Sequence, residues 1–285
     1  MPRFLRFLLL IVLLTTPAFG QPQQSTLQKI KSANVITLGF RESSFPFAFL
    51  GEDKKPAGYS VDLCTRVAGE VQQQLGLSDL AMKWVAVTPE NRVAMVANGT
   101  IDLECGSTTN TLSRQEQVDF SYMTFVDGGS LLISTEAQVD RLSDLAGKRV
   151  AIVPGTTTEK VMAGVLQKAN LTVQTVPVKE HAEGIAAIEQ GRADAYASDR
   201  VILIGLAMTA KDPTRWAISD QYFSYEPYGL MLRRGDADFR LVVNRVLARL
   251  YRSGEIVQVY EQWFGPFKQT STLLKDMYLL HSLPE

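Results

Sequence analysis

Three features of the 285-residue sequence predict an α/β fold built as two similar lobes. From Val35 onward, short strand-like runs alternate with amphipathic helical patterns, the mark of α/β layers with largely parallel sheets. The run Val93-Ala-Met-Val-Ala-Asn-Gly-Thr-Ile-Asp102 is echoed by Ile185-Ala-Ala-Ile-Glu-Gln-Gly-Arg-Ala-Asp194 at an offset of 92 residues. Each copy reads as a helix, a glycine, two further residues, then an aspartate opening a strand. Finally, Cys105-Gly-Ser-Thr-Thr-Asn110 and Pro154-Gly-Thr-Thr-Thr-Glu159 both follow strands, one in each half.

Taken in order, Val35–Phe40 reads as a strand. Val61, Cys64, Val67, Ala68, Val71 and Leu75 recur at helical spacing, and Gly76 ends that helix. Met82–Val87 is a strand, Asn91–Asn98 a short helix and Ile101–Cys105 a strand. A second series starts near Leu131, with strands at Arg149–Val153, Val173–Val178 and Ala193–Ala197. Its helices fall at Glu159–Lys168, Glu183–Gln190 and Arg200–Met208. A return strand at Tyr228–Arg233 precedes a long helix with Phe239, Val242, Val243, Val246, Leu247 and Leu250 on one face.

Apolar residues make up 46% and charged residues 21%, which argues against disorder. A net charge of −1 gives no basic footprint for nucleic acid. Arg3 and Arg6, the apolar run Phe7–Leu14 and the small residues of Ala18-Phe19-Gly20 predict a cleavable signal peptide over residues 1–20. That run is too short for a membrane anchor, which needs about 20 apolar residues. Cleavage would remove two of the 29 basic residues and leave a small excess of acid. The mature chain is expected to be soluble and, with no cysteine at the cleavage site, free of a lipid anchor there.

Glycine lets backbone approach a ligand closely, and hydroxyls beside free N–H groups suit a carboxylate. Ser and Thr in such turns also serve as plain helix caps. Two such turns at the carboxyl edges of the sheets, one per lobe, favour a shared site. No nucleophile motif, phosphate-binding loop or metal-ligand cluster stands out, so no cofactor, metal or catalytic residue is predicted.

The stretches Gly39-Phe-Arg-Glu-Ser-Ser44, Pro56-Ala-Gly-Tyr-Ser-Val-Asp62, Asn98-Gly-Thr-Ile-Asp-Leu-Glu-Cys-Gly-Ser-Thr-Thr-Asn110, Arg114–Ser121 and Tyr228-Gly229 carry a resemblance. The chain resembles the periplasmic amino-acid-binding proteins of polar amino-acid ABC transporters, solute-binding protein family 3, in particular members of the glutamate/aspartate type. The resemblance implies a type II periplasmic-binding-protein fold. Residues 21–126 and 226–285 would form the first lobe and residues 127–225 the second, with hinge strands near Thr124–Gly129 and Phe223–Tyr228. It implies a periplasmic monomer that captures free glutamate or aspartate and hands it to membrane permease subunits, with no nucleic-acid partner.

The site residues follow from the same resemblance. Arg114 would clamp the ligand α-carboxylate, helped by Ser107 and Thr109 from one lobe and Thr157 from the other; bidentate pairing suits arginine to that task. Asp199 would take the ammonium. Arg41, Arg92 and His181 would surround the side-chain carboxylate, the histidine assisting most at low pH as imidazolium. Read without the resemblance, Arg114 is a surface partner for Glu116 and Asp199 a helix cap. Where the family has a serine three residues before the second arginine, this chain has Pro89, so one donor is missing. Cys64 and Cys105 either pair or act as small buried hydrophobes. Cys64 is placed in the first turn of the first helix and Cys105 at the end of a strand beside Val35–Phe40, a layout that favours a disulfide. A binding protein for another polar amino acid, glutamine or asparagine, and a cyclohexadienyl-dehydratase-like enzyme acting on a cyclic acid are the rival readings; the cation-rich cleft, with Glu42 and Asp199 as its nearby carboxylates, shows no catalytic pair.

Overall fold

The computed structural model describes residues 24–137, 139, 141–267 and 271–285; the expected leader lies outside them. Helix α1 (Thr26–Ala33) leads into strand β1 (Val35–Phe40) and a small sheet of β2 (Ser43–Ser44), β3 (Ala48–Leu50) and β4 (Pro56–Ala57). There follow α2 (Tyr59–Leu75), β5 (Ala81–Ala86), α3 (Arg92–Ala97), β6 (Leu103–Glu104), α4 (Leu112–Gln115) and β7 (Val118–Asp127). The second series is β8 (Gly129–Ser134), β9 (Arg149–Ile152), α5 (Thr157–Lys168), β10 (Gln174–Pro177), α6 (His181–Glu189), β11 (Ala195–Asp199), α7 (Arg200–Thr209) and β12 (Trp216–Ile218). The chain returns through β13 (Glu226–Arg233) to α8 (Ala237–Ser253), α9 (Glu255–Phe264) and α10 (Thr272–Leu280).

Two five-stranded sheets result, ordered β5-β1-β6-β13-β7 and β10-β9-β11-β8-β12. The sheets are mixed, which corrects the largely parallel expectation. β13 re-enters the first sheet from the second and so runs antiparallel to both β6 and β7. β8, the strand that opens the second sheet, runs antiparallel to β11 and β12. The chain crosses between lobes at Asp127–Gly129 and again just before β13, where Glu226 pairs with Asp127. Of the second expected hinge stretch, only its last three residues, from Glu226 to Tyr228, are strand.

The 92-residue echo has a physical basis. Gly99 and Gly191 both end helices at positive φ, +75° and +64°, where a side chain would strain the backbone. The Asp102 carboxylate accepts the Thr37 N–H at 2.8 Å, and the Asp194 carboxylate accepts the Arg149 N–H at 2.7 Å. In each lobe an aspartate thus ties the start of one strand to a parallel neighbour, β6 to β1 and β11 to β9.

On the first sheet, α2 buries Leu63, Val67 and Val71, and α8 buries Phe239, Val242, Val243, Val246, Leu247 and Leu250. The second sheet is covered on both faces. Leu131, Ile133, Val150, Ile152, Ala195 and Ala197 pack on one side, while Leu132, Ala151 and Tyr196 pack on the other. Among the described residues, no helix is long and apolar enough to cross a membrane.

Cys64 lies in the second turn of α2, the second helix, rather than the first turn of the first. It is bonded to Cys105 just past β6, with their Cα atoms 6.1 Å apart. The Cys105 N–H donates to the Gly39 carbonyl at 2.8 Å, which seats the bond beside β1. The closed loop spans 41 residues, a length at which a disulfide contributes about 4 kcal/mol by restricting the unfolded chain. Denatured, non-reduced protein is expected to titrate no thiol, and reduction should lower the unfolding free energy by roughly 2–4 kcal/mol in urea titrations. Equal stability of the oxidised and reduced forms would show that the crosslink does not constrain the unfolded state.

Candidate ligand-binding site

Arg41 immediately follows β1, and Arg92 is the first residue of α3. Ser107 and Thr109 lie on the turn after β6, and Thr157 is the first residue of α5. α5 begins two residues earlier than its sequence pattern indicates, because the Thr156 hydroxyl accepts the Glu159 N–H at 3.2 Å and caps it. His181 opens α6 and Asp199 ends β11. Seven of the eight residues singled out from sequence, Arg41, Arg92, Ser107, Thr109, Thr157, His181 and Asp199, line one small cavity of about 20 Å³ between the lobes. Thr156, Thr158 and Ser198 complete its wall.

Arg114 stands beside this cavity rather than in its wall. Its Nη1 donates to the Thr109 carbonyl at 2.8 Å, and its Nη2 lies 3.5 Å from the Gly155 carbonyl of the other lobe. Gly155, at φ +74°, allows that approach; a Cβ there would lie 3.4 Å from the Pro89 carbonyl across the cleft. A larger cavity of about 500 Å³ opens beside the hinge strands among Phe125, Asp127, Arg200, Tyr222 and Phe267. None of the eight residues lines it, and the convergent polar groups that mark a ligand site are at the smaller one.

The cation-rich cleft expected from sequence holds acids that sequence reasoning missed. Glu104 is fully buried, accepts the Thr108 hydroxyl at 2.8 Å and lies 4.0 Å from Arg92 Nη1. Arg92 Nη1 donates to Thr108 Oγ1 at 2.5 Å. Arg41 Nη2 donates to Glu180 at 2.5 Å, an ion pair between lobes. Glu226, 1% exposed, accepts from Thr109 at 2.6 Å and Thr157 at 2.7 Å through one oxygen, and from Ser224 at 2.6 Å through the other. A hinge carboxylate therefore gathers hydroxyls from both lobes, and Thr109 and Thr157 themselves lie 3.2 Å apart. Glu42, the acid that the sequence placed nearby, is exposed.

Asp199 heads α7, yet its side chain caps nothing there; Asp127 accepts the Val201 N–H at 3.0 Å instead. The Asp199 carboxyl accepts the Tyr228 hydroxyl in a short hydrogen bond and the Thr158 hydroxyl at 3.4 Å. Phe47, at ring distances of 5.0 Å from Tyr228 and 4.9 Å from Phe125, holds the tyrosine in place. Burial, then the charges of Glu226 and Asp127, push Asp199 up to about 8. Burial likewise pushes Asp127 up to about 7.

Burial lowers Arg92 to about 9, reinforced by repulsion from Arg114 and opposed by Glu104. Burial also lowers Arg114, against the pull of Glu104, Glu226 and Asp199. His181 corrects an expectation. Burial, Arg41 and Arg92 hold its imidazole well below the usual value, so it acts neutral and does not become an imidazolium aid at mildly acid pH. Its Nδ1 lies 2.6 Å from the Tyr196 hydroxyl. A proton donated by Tyr196 to Nδ1 would leave Nε2 as the ring's donor.

Two α/β lobes hinged on paired strands, with charged and hydroxyl side chains from both lobes around one polar cavity, define a cleft-type solute-binding protein. The pattern of bacterial extracellular solute-binding proteins, family 3, matches residues 36–266, and the chain belongs to that family. An L-glutamate/L-aspartate-binding protein of Pseudomonas aeruginosa is 39% identical over 264 residues, 92% of this chain and 87% of the relative. A glutamate/aspartate import solute-binding protein of Escherichia coli is 36% identical over 248 residues, 87% of this chain and 81% of the relative. Among solved structures, a mutant of ArgBP from T. maritima matches with a TM-score of 0.73 at 28% identity, covering 84% of this chain and 99% of that one. An ancestral amino-acid-binding protein, a precursor of cyclohexadienyl dehydratase, matches with a TM-score of 0.74 at 25% identity, covering 84% and 100%.

The raised carboxyl of Asp199 makes a stability prediction. Between its unfolded value of 3.8 and its folded value of about 8, the native state holds more protons than the unfolded chain. Its contribution is therefore greatest below about pH 4 and is lost as pH rises through 8. Urea midpoints are expected to fall less between pH 5 and pH 8 in Asp199→Asn than in the unaltered protein. Identical slopes in the two proteins would contradict a buried, proton-holding Asp199.

Proposed function

We propose that the protein captures an acidic amino acid, glutamate or aspartate, between its lobes and delivers it unchanged to the permease of an ABC importer. The observation that carries this reading is the placement of Arg41, Arg92, Ser107, Thr109, Thr157, His181 and Asp199 around one inter-lobe cavity, with Arg114 against it. Arg114, Ser107, Thr109 and Thr157 would take the α-carboxylate and Asp199 the ammonium. Arg41, Arg92 and a neutral His181 would take the side-chain carboxylate. The glutamate/aspartate names of its relatives from Pseudomonas aeruginosa and Escherichia coli support the same ligand class. Residues 21–126 and 226–285 would move as one lobe against 127–225. The protein would act as a periplasmic monomer after loss of residues 1–20, with no cofactor and no nucleic-acid partner.

A second reading, a dehydratase for a cyclic acid, draws on one observation. Asp199, pushed up to about 8, would hold a proton at neutral pH as a general acid does. An aromatic product appearing when prephenate is added would favour it.

Calorimetry of ligand-stripped protein against glutamate, aspartate, glutamine and asparagine tests the main reading. Removing one partner of a desolvated charge pair costs roughly 2–5 kcal/mol, about thirtyfold to a few thousandfold in affinity. Arg114→Ala is expected to weaken glutamate and glutamine by similar factors, and Arg92→Ala to weaken glutamate far more than glutamine. An unchanged glutamate-to-glutamine ratio in both Arg92→Ala and Arg41→Ala would remove the acidic-ligand assignment.

A further inference from the structure

Glu180 holds the N-cap position of α6, yet its side chain makes no capping hydrogen bond. Its Oε2 reaches across the cleft instead, accepting from Arg41 Nη2 at 2.5 Å and from Ser43 Oγ at 2.7 Å. Both donors belong to the first lobe. The two partners of the ion pair differ sharply in their access to water: the Arg41 side chain is 1% exposed and that of Glu180 29%. Arg41 Nε has no hydrogen-bond partner among the described residues.

That asymmetry decides which partner can leave. A guanidinium buried to this degree could give up Glu180, the one carboxylate paired with it among the described residues, only at a heavy cost unless another anion replaced it. Glu180, already in contact with solvent, regains hydration by a rotation about its own side-chain bonds, and no helix cap is lost. Glu226 has no such freedom, because it is 1% exposed and held by three hydroxyls.

We propose that Glu180 is a displaceable internal carboxylate that occupies Arg41 and is exchanged for the side-chain carboxylate of the ligand, making it a specificity-determining residue. The inference rests on the acidic-amino-acid reading given above. Exchange gives selectivity a definite form. A ligand with a side-chain carboxylate replaces Glu180 on Arg41 like for like, whereas an amide cannot supply the charge and leaves the Arg41–Glu180 pair in place. The internal competitor therefore lowers affinity for glutamate and aspartate and leaves glutamine little affected.

The experiment is calorimetry of ligand-stripped full-length mature protein with glutamate and with glutamine, at fixed salt, for the unaltered chain, Glu180→Gln, Ser43→Ala and Glu183→Gln. Glu183 is an exposed acid in the first turn of the same helix and serves as the charge control. Glu180→Gln is expected to tighten glutamate at least about tenfold, a change of 1.4 kcal/mol, with glutamine unchanged within about twofold. Ser43→Ala, which removes one of the two groups holding Glu180, should shift glutamate the same way by less, and Glu183→Gln should shift neither ligand. Equal weakening of both ligands by Glu180→Gln would identify the ion pair as a strut of the closed state and overturn exchange. No change would overturn it as well, and so would an equal gain in Glu183→Gln, which would reduce the effect to general electrostatics. If the unaltered protein binds neither glutamate nor aspartate, the acidic-ligand reading itself fails, and that outcome is visible before any variant is made.

Discussion

Arg41 and Arg92 are withdrawn from water together with Glu104, Asp199 and Glu226, with Arg114 half-buried beside them, and these groups meet where two sheets approach each other. An ion moved into a protein interior loses several kcal/mol of hydration even after relaxation. That loss is tolerable here only because the opposing charges and hydroxyls arrive from separate parts of the chain at fixed distances. Glu104 serves Arg92 from within the first lobe, Glu180 serves Arg41 from the second, and Glu226 gathers threonines from both. The positions of the strand ends are set by this requirement as much as by the apolar layers behind them.

The hinge converts the compensation into something that can move. β7 and β13 pair from Glu226–Asp127 to Arg233–Val118, so the first sheet extends directly to the crossover. Behind it Phe47, Phe125 and Phe264 pack edge-on and stacked, with ring distances of 4.9 to 5.4 Å, and make that end of the first lobe rigid. The groups that join the lobes include polar contacts such as Thr109–Thr157 and Arg114–Gly155, beside the apolar packing of Ile202 against the first lobe. Hydrogen bonds of this kind contribute about 1 kcal/mol each, because water replaces them on opening. A ligand that touches both lobes can therefore shift the balance between open and closed forms.

The parts of the fold that repeat a strong pattern were legible in the sequence. Val35–Phe40 and the apolar stripe of α8 were readable from periodicity, and the Gly-x-x-Asp echo predicted two lobes whose aspartates perform the same backbone tie. The strands β2 to β4, two or three residues each, are too short to carry a period and were not read; α1, α9 and α10 were not read either. Sheet direction was misjudged because an isolated run such as Glu226–Arg233 has the same composition whether it lies parallel or antiparallel to its neighbours. In the site, residue types with an evident partner on a ligand were found, whereas Glu104, Glu180 and Glu226 were missed. Their role is to answer other charges of the protein, and that pairing exists only after residues up to 139 positions apart are brought together. His181 lies in the cavity wall but was given the wrong charge, since its lowered pKa arises from burial and then from Arg41 and Arg92, all of which depend on the folded chain.

Closure on a ligand shared by the two lobes is the central claim, and small-angle X-ray scattering tests it most directly. Protein stripped of ligand, then saturated with glutamate, is expected to show a smaller radius of gyration and a profile shifted towards that of the closed lobes described here. A profile that does not change at saturation, with binding verified in the same sample, would contradict the account and confine the site to one lobe.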